Sequence, residues 1–134
     1  MPLGPRDLLR SGARAKWIAR VDQHADEWAQ TLFTRDHDVI RAWARERTAG
    51  PAIGEGAANV LDAGSRLRLG FPGMTQLHIV SWEDWFLEFD RYDLVFAFRE
   101  RRDDGQASQD YRIVTQNQLV ADGQPPPPPR NDPP

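Results

Sequence analysis

The chain has 134 residues, of which 40% are apolar and 28% charged, and its formal net charge is −3. That length suits one domain with a buried core and leaves no room for a large multidomain enzyme. The absence of cysteine excludes disulfides, cysteine-ligated zinc and thiol catalysis, and the slight acidity argues against a protein devoted to nucleic acid.

No apolar run approaches the ~20 residues of a membrane-spanning helix and no export signal opens the chain. A cytoplasmic protein without membrane contact is therefore expected. Residues 1–12, with Pro2, Gly4 and Pro5, read as a flexible start, and residues 13–120 as a single domain. Residues 121–134 hold seven of the eleven prolines and read as a disordered or polyproline II tail. Lys16 is the one lysine among 17 basic residues. Arginine is the stronger binder of phosphate and carboxylate, but an arginine excess spread over every segment is also what GC-rich codon usage produces.

From Ala13 to Phe33 the apolar residues Trp17, Ile18, Val21, Ala25, Trp28, Ala29 and Leu32 recur in steps of three and four, which predicts an amphipathic helix. A second helix is predicted from Asp36, its N-cap, with Asp38 in the first turn and Val39, Ile40, Trp43, Ala44 and the Arg47 stem on its apolar face. Gly50-Pro51 is expected to end it.

Ala52-Ile53 suggests a short strand, and Leu67, Leu69 and Phe71 alternating with Arg66, Arg68 and Gly70 a clearer one. Pro72-Gly73 fits the centre of a type II turn. After a short extended piece, Leu77 to Val80, Ser81 is placed to cap a helix carrying Trp82, Trp85, Phe86 and Phe89. Leu94 to Phe98 is apolar on both sides and reads as a central strand; Asp103-Asp104-Gly105 turns the chain back into a strand with Tyr111 and Ile113. The fold class is thus α+β: N-terminal helices on a small antiparallel sheet of about four strands, interrupted by one short helix.

Several of these pieces together carry a resemblance. Asp36-His37-Asp38-Val39-Ile40-Arg41-Ala42-Trp43-Ala44-Arg45-Glu46-Arg47, Gly50-Pro51-Ala52, Leu67 to Gly73, Ser81 to Asp90 and Leu94 to Phe98 resemble a family of short bacterial hypothetical proteins. The resemblance spans about residues 35–100 and implies an α+β fold without a known function. Members sometimes carry the label 1,4-alpha-glucan branching enzyme. That activity is not expected here, because it belongs to large barrel enzymes, and the chain is read as a non-enzyme.

The reactive-looking clusters have structural readings. Asp36-His37-Asp38 are neighbours on a helix start, about 100° apart, and do not converge on an ion. His24 and His78 lack metal-ligand spacing, so no metal or other cofactor is expected. Glu83 and Glu88, five apart, lie on different faces, unlike a glycosidase pair. The serines sit in no nucleophile elbow and the glycines in no phosphate loop.

Two functions remain. The first is a non-catalytic protein-interaction module that binds a partner protein or a second copy through the first helix, with Trp17, Val21 and Trp28, or through the sheet edge. The alternative is a nucleic-acid accessory protein with Arg66, Arg68, Arg99, Arg101, Arg102 and Arg112 on one sheet face, less favoured on net charge.

Overall fold

A computed structural model describes residues 14–54, 66–75 and 77–127. The flexible start expected for 1–12 and the end of the proline tail, 128–134, lie outside the described residues.

Among the described residues there are seven strands, arranged in two sheets, and three helices. The first sheet has the order β1-β2-β6-β7, from β1 (Lys16–Trp17), β2 (Thr31–Thr34), β6 (Leu94–Arg99) and β7 (Tyr111–Thr115). The β1–β2 pair is parallel and the other two pairs are antiparallel. The second sheet has the order β4-β3-β5, antiparallel throughout, from β3 (Gly50–Gly54), β4 (Leu67–Gly70) and β5 (Leu77–Ile79). The helices are α1 (His37–Glu46), α2 (Trp82–Arg91) and α3 (Gln116–Ala121). The α+β class holds, with seven strands in two sheets where about four in one were expected.

The predicted first helix is absent. Its span holds β1, a run of turns and β2. Side chains hold the intervening backbone: Gln23 Oε1 accepts from the Ala19 and Arg20 amides at 2.7 and 3.0 Å, Glu100 Oε1 from the Ala25 amide at 2.8 Å, and Gln30 Oε1 from the Asp26 amide at 2.6 Å. Ala29 adopts a left-handed φ of 65°, which a helix cannot contain. Only Ile18 and Leu32 of the apolar stripe are buried in the main core.

The other two helices start where expected. Asp36 accepts from the Val39 amide at 2.9 Å and Ser81 from the Asp84 amide at 3.0 Å. The end of α1 differs. Thr48, not Gly50, takes the left-handed position, at φ 58°, with Thr48 N–H donating to Arg45 O and Ala49 N–H to Ala44 O. Gly50 already belongs to β3. This is the Schellman arrangement, with a β-branched residue where glycine is usual.

Strand β6 lies in the middle of its sheet. Its alternate side chains divide the molecule. Leu94, Phe96 and Phe98 point to the inner face, where Trp43 of α1, Trp85 and Phe89 of α2 and Leu67 and Leu69 of β4 complete the main core. The rings interlock: Trp43 meets Phe96 and Phe98 edge-on at 5.4 and 5.9 Å. Buried polar ends find partners across elements. Trp43 Nε1 donates to Arg99 O, Trp85 Nε1 to Arg68 O, and the Leu69 amide to the Tyr111 hydroxyl, which ties the two sheets together.

Arg47 clamps α1 to the β6–β7 hairpin. Its guanidinium donates to the backbone carbonyls of Ser108, Trp43 and Glu100 and lies over the Trp43 ring at 4.2 Å. Burial lowers its pKa from the ordinary guanidinium value.

Val95 and Ala97 point to the outer face of the first sheet. With Phe33, Val114 and Leu119 of α3 they make a second, smaller core. The proline-rich segment does not start free at residue 121. Thr115 and Gln118 form a capping box that opens α3, and Gly123 (φ 73°) closes it, so the chain continues back over the sheet.

Candidate functional site: a basic groove on the outer face of the first sheet

The smaller core covers only part of the outer face. Beside it lies a groove of about 670 Å³, within the range of ligand sites. Phe33, Ala97, Val114 and Leu119 form its floor. Register explains the convergence: Phe33 on β2 and Arg112 on β7 both pair with Ala97 on β6, and Thr31 pairs with Arg99. Residues two apart share a face, so Arg99 and Arg112 join this floor with Thr31.

Arg14, Arg99 and Arg112 bring three guanidiniums to the groove, and Asp110 and Asp122 bring two carboxylates. Arg99 Nε reaches Thr31 Oγ1 at 3.4 Å, a long contact. The Arg14 and Arg112 side chains are exposed and make no ion pair among the described residues. Among the described residues strand β7 forms one edge of the first sheet, the kind of edge to which a further strand can pair. Planar guanidiniums next to an apolar floor can hold carboxylates through paired hydrogen bonds while the floor buries an aliphatic or aromatic group.

The partner-binding stripe expected at Trp17, Val21 and Trp28 is not formed, because the helix that would align them does not exist. Trp17 on β1 is half-buried against Phe33, with ring centroids 5.4 Å apart. Val21 is exposed in a turn. Trp28 is 61% exposed and lies over Gly105 of the hairpin, where an added Cβ would meet its ring at 2.6 Å.

The six arginines do not make one basic face either. Arg66 immediately precedes β4 and Arg68 lies on it, in the second sheet: Arg66 pairs with Glu88 at 2.6–2.9 Å, a hydrogen-bonded partner that raises its pKa, and Arg68 lies beside Gly54. Arg101 and Arg102 bond within the hairpin, to Gly105 O and to Asp104. Only Arg99 and Arg112 come together, at the groove.

The acidic and imidazole clusters resolve into pairs. His37 Nε2 lies 3.0 Å from Asp90, its ring stacked on Phe86 at 4.0 Å, while Asp36 caps α1 and Asp38 pairs with Arg41. His24 Nδ1 lies 2.8 Å from Glu100 at the mouth of a second depression, of about 510 Å³. Among the described residues no group of three or more acidic or imidazole side chains could hold a metal ion.

Sequence reasoning missed Arg14, Phe33, Val114 and Leu119 as companions of Arg99 and Arg112. The signal for β2 was available in Thr31-Leu32-Phe33-Thr34, a β-branched and aromatic run, but a helical spacing that happened to fit covered it. Comparison with protein-family models, with curated proteins and with solved structures found no match to this chain.

Proposed function

We propose that the protein is a non-catalytic protein-interaction module whose outer groove and β7 edge take an extended, acidic segment of a partner protein. The observation that supports it is the set of guanidiniums from Arg14, Arg99 and Arg112 around the floor of Phe33, Ala97 and Val114. Among the described residues, two of those three cations have no carboxylate paired to them, so an incoming acidic side chain would gain a charge-assisted bond without breaking one seen there. The exposed edge of β7 would supply main-chain bonds to the same segment, and the groove would choose among its side chains.

Binding of a set of ten-residue peptides that differ only in Asp and Glu content, measured by calorimetry on the full chain, tests the reading. Acidic peptides with one apolar anchor should bind, and Arg99→Ala with Arg112→Ala should weaken them at least tenfold. Binding unchanged in the double variant, or a mixed-sequence single-stranded oligonucleotide preferred over every peptide, would contradict it.

A further inference from the structure

Outside the groove lining, one contact joins the two ends of the described chain. Trp17 Nε1 donates to the carbonyl of Pro125 at 2.9 Å, across 108 positions of sequence. Trp17 is half-buried, with Phe33 on one side and the Arg35 guanidinium 5.7 Å from its ring centroid.

An indole N–H is a donor with no acceptor function, and where it is shielded from water it needs an acceptor from the protein. A run of prolines supplies the complementary chemistry. It has no N–H groups, its polyproline II form makes no internal hydrogen bonds, and its carbonyls stand free. The burial pattern fits that form. Pro125 and Pro127 are half-buried while Pro126 is exposed. At three residues per turn, two edges of the polyproline prism then rest on the protein and the third faces water. The approach is built into the chain: Gly123 N–H donates to Val120 O and Gln124 N–H to Leu119 O, both at 3.0 Å, a turn that ends α3 and sends the next residues back to β1.

We propose that Trp17, backed by Phe33, is a recognition site for proline-rich segments in polyproline II form, filled here by the chain's own Pro125–Pro127. A proline-rich segment of another protein takes the same place when the resident one leaves. The pre-set φ of proline keeps the entropy cost of either exchange low. The site adjoins the groove and shares Phe33 with its floor, but Trp17 itself lies outside the lining, so its indole signal reports proline binding separately from the acidic-segment reading.

The test uses the full chain labelled with ¹⁵N, in which the indole of Trp17 is identified through Trp17→Phe. In a variant with Pro125 to Pro129 replaced by alternating Gly and Ser, the Trp17 indole proton should exchange with water at least tenfold faster. Decaproline added to that variant should return the signal to its original position, and should bind the unaltered chain at least tenfold more weakly. Equal exchange in the two chains, or decaproline that moves no indole signal or binds both chains equally, would overturn the inference. The indoles of Trp43 and Trp85, bonded to Arg99 O and Arg68 O, report the fold. Their collapse in the proline-free variant would also overturn it, because an exchangeable ligand cannot be required for folding.

Discussion

The two faces of the first sheet share the same strands and are covered very differently. On the inner face Leu94, Phe96 and Phe98 lie under α1, α2 and the second sheet, and aromatic rings fill the space. On the outer face the same strand offers Val95, then Ala97, then Arg99. Val95 is fully buried, Ala97 is 8% exposed and Arg99 is half-buried. Side chains on this face become smaller and then polar along β6, and the apolar cover ends with them. Leu119, from a six-residue helix, packs over the buried end, with Ala15 and Trp17 half-buried beside it. The inner face is where stability is concentrated. The outer face keeps a partial cover and presents cations at its open end.

Stability measurements can break or sharpen that contrast. Phe96→Ala removes a fully buried ring from the inner face and should destabilise by about 3–5 kcal/mol in denaturant unfolding. Leu119→Ala on the outer face should cost less, about 2 kcal/mol, since the adjoining groove lets the site relax. Equal losses from the two variants would mean that the faces are equally integrated.

Gly105 belongs to the hairpin that both faces share. Its φ of 85° and the Trp28 ring above it mean that Gly105→Ala should destabilise by about 1–3 kcal/mol, read from the same unfolding curves. Arg112→Ala should change stability by no more than about 0.5 kcal/mol, as expected for an exposed side chain with no ion pair among the described residues, while weakening an acidic peptide.

The smallest effect concerns acid. Asp104 accepts hydrogen bonds from the Gln106 amide and the Arg102 guanidinium, and these hold its carboxyl below the usual range. A lowered folded-state pKa contributes stability at neutral pH, present above the unfolded carboxyl pKa of about 4, and lost as the pH falls through the lowered value. Faster amide exchange at Gln106 should appear only below that range, and Asp104→Asn should abolish the dependence.

Much of the inner face was legible in the sequence. Asp36 and Ser81 announce their helices by capping chemistry, and the two-sided apolarity of Leu94 to Phe98 marks a central strand; all are local signals. Residues 14–34 were not legible, because their structure depends on distant partners. Thr31 to Thr34 pairs with β6, some 65 positions away in sequence, and Glu100 fixes the turn before it through the Ala25 amide. Steps of three and four between apolar residues do not reveal that Trp28 covers a hairpin glycine while Leu32 enters the core. The groove was hidden for the same reason, since Arg14, Phe33 and Arg112 meet only once β2 is placed beside β6. Arg99 and Arg112 stood in the expected basic set, but their separation from Arg66 and Arg68 follows from the division into two sheets.

The outer face of the first sheet is the proposed binding surface. Backbone amide shifts mapped by NMR during titration of the full chain with an acidic, singly apolar peptide address it directly. The prediction is a contiguous set of shifted amides at Phe33, Ala97, Arg99, Arg112 and Val114, lost together in the Arg99→Ala/Arg112→Ala variant. Shifts confined to Val21 and Trp28, or to Arg66 and Arg68 at β4 of the second sheet, would contradict it.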